Sequence, residues 1–380
     1  MSAQKAKAGL AALAKATAVL SGVAIGMGLG MKKLADSAGS FEYELARAGA
    51  ITRATAKDMK ILEDAAIAAG IATQFSPEEA AQGLSVLGAM GMQAAQATAI
   101  LPAALDLAAA GMISVQDAAS SVVGMLRVYG KGINEASEVT DKLVRITSMS
   151  GYQASEFAVS LGKAASKTAG SNQTLETTLI TMGLMRNTFT DAASAGTYYS
   201  RAVTNMTSSE RARNAMQKLG VDFYEKGTRK SRQFLDVTVD LTKKLKGYTD
   251  EAKDKYITDI FGARAKGIYT AVSKAQITVE KEGRKVTLKG AAAIKQYYEE
   301  LEHASGAAKE FRERLLDTYE GQKTLLKGTM ATLAIVTGQP ITAMFKPIIA
   351  SIVDGLNEVI NVVKRVPEGT KKLAAAATMG

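Results

Sequence analysis

The chain's single histidine, His303, stands in the run Glu300-Leu301-Glu302-His303, and with Glu299 it gathers the residue types from which acid–base or metal chemistry is built. Paired carboxylates can serve as general acid and base, and an imidazole can ligate zinc. One imidazole in a chain without cysteine cannot complete the usual zinc sets, and no H-E-x-x-H occurs. Adjacent glutamates on a helix, with Lys295 and Lys309 nearby, read as a solvated face. The stretch from Gly124 to Gly130 and Lys131 matches G-x-x-x-x-G-K, but Gly132 follows where a phosphate loop needs Ser or Thr for magnesium. It reads instead as a helix end capped by Gly130. The sequence therefore predicts no catalytic residue, no cofactor and no metal site, and a protein that is not an enzyme.

The elements that would have to position any such chemistry are short helices. Gly70, Gly91, Gly111, Gly130, Gly151 and Gly170 recur at steps of 21, 20, 19, 21 and 19 residues. Between them lie Ala-rich stretches with apolar residues at helical spacing, and glycine best accepts the left-handed conformation just past a helix end. Ser76 with Pro77 and Glu79 outlines a capping box, and Ser114 with Asp117 repeats the device. Acidic residues near helix starts recur at Glu79, Asp117, Glu156 and Glu176, so two helices make a repeat of about forty residues. A composition 47% hydrophobic with five prolines in 380 residues supports this all-α reading. The predicted fold is an array of short helical hairpins followed by longer helices, with one small β-hairpin near 277–288.

Four segments are expected. Residues 1–40 form an Ala, Gly and Lys-rich helical leader, and 41–206 the glycine-punctuated core. In the leader, the uncharged run from Ala16 to Met31 would rise about 24 Å as a helix, short of the roughly 30 Å of a hydrocarbon core. Gly22, Gly26 and Gly30 fall four apart, a spacing that lets helices approach closely in a protein bundle or in lipid. A packed protein helix leads there over a conditional membrane segment and a cleaved signal peptide. Residues 207–290 form a basic helical region: 211–295 hold 20 Lys or Arg against 10 Asp or Glu, an excess equal to the whole chain's net charge of +10. A solvated, partner-facing surface is favoured there over one that meets DNA, because no helix-turn-helix, finger or stacking platform accompanies the charge. Within it, Ile277, Val279, Val286 and Leu288 alternate with polar residues around Glu282-Gly283-Arg284, the pattern of a hairpin. Residues 291–380 hold long helices. Gly321 and Gly328 are expected as breaks or close-packing points, and Pro347 as a kink. Phe345, Ile349, Ile352, Leu356, Val359 and Val363, spaced by fours and threes, form an apolar seam suited to a coiled coil or bundle.

These residues also carry a family resemblance. Phe41-Glu42 before a helical run, Thr73-Gln74-Phe75-Ser76 with Glu79, Ala80 and Gly83, then Gly91, then Leu101-Pro102 with Leu105, Leu107 and Ala108 resemble the core of the tail tape measure proteins of long-tailed bacteriophages. Ala164, Ala165, Ala169, Gly170, Gly183 and Gly196 resemble that core's second half. Leu219-Gly220-Val221 and the run from Ile260 to Ala265 are similar to segments that follow it, and Leu325 to Gly328, Gly338, Pro347 and the seam to the stretch leading out. The likeness covers about residues 41–365, its first half being the more specific.

The resemblance implies a structural protein of the virion tail lumen, made in the bacterial host cytoplasm. Several copies would run through the growing tube and set its length. Its implied partners are the tail tube protein, tail assembly chaperones, baseplate or tail-tip proteins and further copies of itself. It also implies a later role in genome delivery with conditional contact to the host inner membrane, and DNA contact as a weaker expectation. The alternative reading is a membrane-active channel or delivery protein of a phage-derived particle. Unlike the family's larger members, this sequence lacks a long central heptad tract and an appended cell-wall hydrolase.

Overall fold

The computed structural model describes residues 29–189, 191–281 and 284–364. Gly22, Gly26 and most of the run from Ala16 to Met31 lie outside them, as does the turn at 282–283. In chain order the helices are α1 (Leu29–Thr52), α2 (Ala56–Ala72), α3 (Pro77–Ala89), α4 (Ala94–Gly111), α5 (Val115–Val128), α6 (Ala136–Ser150), α7 (Ala154–Ala169), α8 (Leu175–Leu184) and α9 (Ala192–Ser208). There follow α10 (Glu210–Leu219), α11 (Phe234–Lys244), α12 (Asp250–Phe261) and α13 (Lys266–Ser273), then strands β1 (Gln276–Lys281) and β2 (Arg284–Lys289), then α14 (Ala291–Glu302), α15 (Ala307–Leu316) and α16 (Tyr319–Lys364). The all-α array with one β-hairpin is thus the observed fold.

Side-chain caps start many of these helices. Thr55 and Asp58 form a capping box at α2, and Ser76 and Glu79 another at α3 with Pro77 in the first position. Ser114, Thr174, Asp191, Ser209 and Thr249 each accept a first-turn N–H, satisfying donors a helix leaves orphaned.

Contacts divide the chain into two compact units: Leu45–Gly328, and Met1–Glu44 with Thr329–Gly380. In the first unit each early helix packs on its neighbour and on the next but one, α2 on α3 and α4, α3 on α5, α4 on α5 and α6. The core there is aliphatic, with Leu62, Leu84, Leu87, Ile100, Leu107, Leu143 and Ile146 fully buried. Farther along it becomes aromatic: the Tyr199 ring meets Phe234 edge-on at 5.2 Å, and Phe234 lies 5.4 Å from Phe261. Neighbours approach closely where side chains vanish. A Cβ at Gly196 of α9 would lie 2.6 Å from the Ser160 carbonyl oxygen of α7, and one at Gly83 would lie 2.6 Å from Val115 Cγ1. Gly321 and Gly328 do not break α16. They are close approaches, to the Leu315 carbonyl and, at 3.2 Å, to the Thr73 carbonyl.

In the second unit, a Cβ at Gly338 of α16 would overlap the Leu34 carbonyl of α1, and Lys346 pairs with Glu42. Ala38, Phe41 and Ile335 are buried. Pro340 and Pro347 lie inside α16, which bends by 46° between Tyr319–Met344 and Ile349–Glu358, the place where Pro347 removes a helix donor.

Two glycine substitutions separate close packing from backbone freedom. Gly196→Ala forces a Cβ onto backbone and is expected to cost about 1–3 kcal/mol. Gly151→Ala has open space but a φ of 74° and is expected to cost about 1 kcal/mol. Urea unfolding of both variants checks this, and an unaffected Gly196→Ala midpoint would contradict the packing account.

Candidate assembly surfaces

The six metrical glycines divide by geometry. Gly91, Gly130 and Gly151 take positive φ of 85°, 62° and 74° just past α3, α5 and at the end of α6. The other three ends are made differently. Gly70 is a buried residue inside α2, whose end is fixed at Thr73, where the hydroxyl donates to the Ala69 carbonyl at 2.8 Å. Gly111 is the last residue of α4, and Met112 takes the left-handed conformation in its place. Gly170 caps α7 in the right-handed region, and Asn172 turns left-handed two residues on. Asn is the commonest substitute for glycine there, because its side chain bonds locally.

The residues that hold the array together across long sequence distances are polar. Asp141, buried on α6, accepts N–H bonds from Gly306 at 2.8 Å and Ala308 at 2.9 Å, capping α15 from 165 residues away. On the neighbouring helix Asp106 pairs with Arg312 of α15. Burial pushes the Asp106 carboxyl above its ordinary value, although the Arg312 charge opposes it.

A second clamp joins residues 172–177 to 231–234. Gln173 Oε1 accepts the Phe234 N–H at 2.6 Å while its Nε2 donates to the Arg232 carbonyl at 3.1 Å. Gln233 reciprocates, accepting the Thr174 N–H at 3.0 Å and donating to the Asn172 carbonyl at 2.7 Å. Beside it the Tyr298 hydroxyl lies 2.6 Å from Thr177 Oγ1, and burial pushes that phenol up to about 12. Lys142 completes the group, its ammonium 2.6 Å from both Glu138 and Glu176. Burial pushes the Glu176 carboxyl up, but the Lys142 hydrogen bond, a backbone hydrogen bond and the Lys142 and Lys131 charges together hold it below its ordinary value. None of these clamps was legible in the sequence. A buried Asp141 between Val139 and Leu143 was the one signal on offer, an acid set in an apolar stripe.

The residues with chemical potential are dispersed. His303 is exposed at the end of α14, its Nδ1 2.7 Å from the Glu299 carbonyl. Glu300 corrects the expected solvated face: α14 packs against α6, and Glu300 pairs there with Arg145. Gly124 lies inside α5, and Lys131 pairs with Glu135 at 2.7 Å. Among the described residues no three His, Asp or Glu side chains are placed to hold a metal ion. Those of 211–295 that form ion pairs are Arg232, Lys243, Lys253, Lys266 and Lys295, while Arg211, Arg213, Lys218, Arg229, Lys230 and Lys246 form none among the described residues. The apolar seam lies on α16. There Ile349 is exposed, Ile352 and Leu356 are half-buried, and the side chains of Phe345, Val359 and Val363 are outside the described set, as is the burial of Gly30 on α1. Exposed Leu326, Met330, Leu333 and Met344 extend the apolar surface of the same helix. Among the described residues, α4 is by itself long and apolar enough to cross a membrane, and 61% of it is buried inside the protein, as in a core helix.

Short helices share the core of the 45–328 unit, are clamped by long-range hydrogen bonds, and leave cations and apolar side chains exposed. Residues 63–262 match the model of the phage-related minor tail protein family, and the chain belongs to that family. It is similar to the tape measure protein of Pneumococcus phage Dp-1, with 26% identity over 341 residues, which cover 89% of this chain and 28% of that relative. The chain thus spans under a third of the length of the curated relative it matches. No solved structure matches it significantly. Its family makes it a phage tail protein of the tape-measure-like kind.

The Lys142–Glu176 pair sets a pH dependence. A carboxyl depressed in the folded chain contributes stability above its unfolded pKa and loses it as pH falls through the folded value. Glu176→Gln should therefore narrow the difference in urea midpoint between pH 7 and pH 3. A difference as large as that of the parent would contradict the assignment.

Proposed function

We propose that this chain is a length-setting segment of a tail tape measure: several copies lie in the lumen of the growing tube, tube subunits polymerise around them, and the tail's assembly chaperones and baseplate or tail-tip proteins hold the ends. The observation that carries this reading is the alignment with a tape measure protein across 89% of the chain, which takes in the glycine-punctuated core, the basic region and much of the terminal helix. A ruler needs extension, whereas α2 to α9 double back. In the working form the short helices open into longer ones, the glycines being tolerated at about 1 kcal/mol each. Fully helical, 380 residues would reach about 570 Å. The folded array is then the form held before assembly. Departure of the measure from the tube clears the path for the genome.

The exposed apolar residues of α16 favour a second reading, in which the terminal helix meets the host inner membrane during delivery. Flotation of the purified chain with liposomes separates the two readings, since a ruler alone stays in the soluble fraction.

The direct test alters length. Removing residues 76–113, one two-helix repeat, should shorten tails seen by electron microscopy by about 57 Å, and duplicating it should lengthen them equally. Tails of unchanged length in both variants would overturn the proposal.

A further inference from the structure

Three cations converge where no carboxylate among the described residues neutralises them. Lys167 on α7, Arg201 on α9 and Arg264 in the turn between α12 and α13 come from elements far apart in sequence, yet all three line one cavity of about 400 Å³. Each is exposed, and none forms an ion pair among the described residues. No Asp or Glu lines the cavity. A cavity of that volume is about 9 Å across, no more than a Debye length of about 8–10 Å, so the three charges repel one another at a cost to the folded state.

The cradle is nonetheless held in place. Asn205, one helical turn after Arg201 on α9, donates its Nδ2–H to the Ile260 carbonyl at 3.0 Å and so ties the end of α12 to α9. Phe261 is buried against Phe234, Gly262 turns the chain at a φ of 85°, and the Ala265 N–H donates to the Gly262 carbonyl at 3.0 Å. These contacts fix the backbone that carries Arg264. The Arg201 guanidinium lies over the Tyr198 ring at 5.8 Å, a contact that uses its flat face rather than its N–H groups. Beside the turn α13 starts with no side-chain cap and no acidic residue, so its dipole adds potential of the same sign.

Cations approaching from three elements suit a group with three charged oxygens. A carboxylate offers two oxygens in one plane, which a single arginine fork matches, whereas a phosphate monoester offers three terminal oxygens and about two negative charges at pH 7. The room also exceeds what a bare phosphate fills: at about 30 Å³ per water the cavity has the volume of about thirteen waters. We propose that Lys167, Arg201 and Arg264 form a binding site for an organic phosphate monoester, its phosphate held among the three cations and its organic part filling the rest of the cavity. The site needs only the folded 45–328 unit, so it stands or falls apart from the length-setting role.

The probe is glycerol 3-phosphate, titrated calorimetrically into the full-length protein at low salt. One-to-one binding with a Kd on the order of 0.1–1 mM is expected. Dimethyl phosphate, a diester with two free oxygens and one charge, should bind at least about tenfold more weakly, and inorganic phosphate, which lacks the organic part, about threefold more weakly. Affinity for glycerol 3-phosphate should fall about fivefold or more between pH 7.5 and pH 5, because the ligand takes up a proton near pH 6 while the lysine and both arginines stay charged. Lys167→Gln, Arg201→Gln and Arg264→Gln should each weaken binding about tenfold, with the far-ultraviolet circular dichroism unchanged. Arg229→Gln removes the same charge from an exposed position outside the cavity and should bind as the parent does. Without ligand, Arg264→Gln should unfold at no lower a temperature than the parent, since it relieves repulsion. No binding below about 10 mM, equal affinity for the diester or for inorganic phosphate, or equal affinities of Arg264→Gln and Arg229→Gln would each overturn the proposal.

Discussion

Helices of 10 to 18 residues cannot bury an apolar stripe alone, and this constraint governs the 45–328 unit. Isolated helices of that length are marginal in water, so their stability comes from the faces they share. The sequence meets the constraint with small residues. Ala80, Ala97, Ala104, Ala118 and Ala119 are all fully buried, and Gly83 and Gly196 let backbones approach where any side chain would hold them apart. A repetitive array of this kind would be loosely ordered if apolar contact were its only adhesive, because alanine faces are alike and slide.

The polar clamps supply what the alanine faces lack. Asp141 ties the start of α15 to α6, and Gln173 and Gln233 each bind the other's flanking backbone. Buried hydrogen bonds of this sort add modestly to stability but cost far more when one partner is left alone, so they select a single register. They also join the basic region to the glycine-punctuated core and fold residues 307–316 back upon α4 and α6. The three sequence segments between Leu45 and Gly328 therefore belong to one contact unit.

The helical class, the capping box at Ser76 and the presence of the hairpin near 277–288 were legible because each depends on residues close together in the sequence. The glycine metre was legible in rhythm and less so in position. Gly91, Gly130 and Gly151 mark left-handed ends, but Met112 and Asn172 take that role at two others. The glutamates at 299–302 looked like a solvated face, since nothing local shows that Arg145, more than 150 residues earlier, lies beside Glu300. The clamps were illegible for the same reason. A glutamine's partners are backbone atoms of a distant loop, and backbone atoms carry no sequence signal.

The central claim is that the 45–328 unit stands as one cooperative body because distant elements complete one another's cores and caps. Native-state hydrogen exchange of the full chain, read by mass spectrometry in low urea, tests it most directly. The account predicts that amides of α4, α6, α8 and α15 open together with one shared urea dependence. Release of α15 or of residues 231–244 at markedly lower urea, with α4 and α6 still protected, would contradict it.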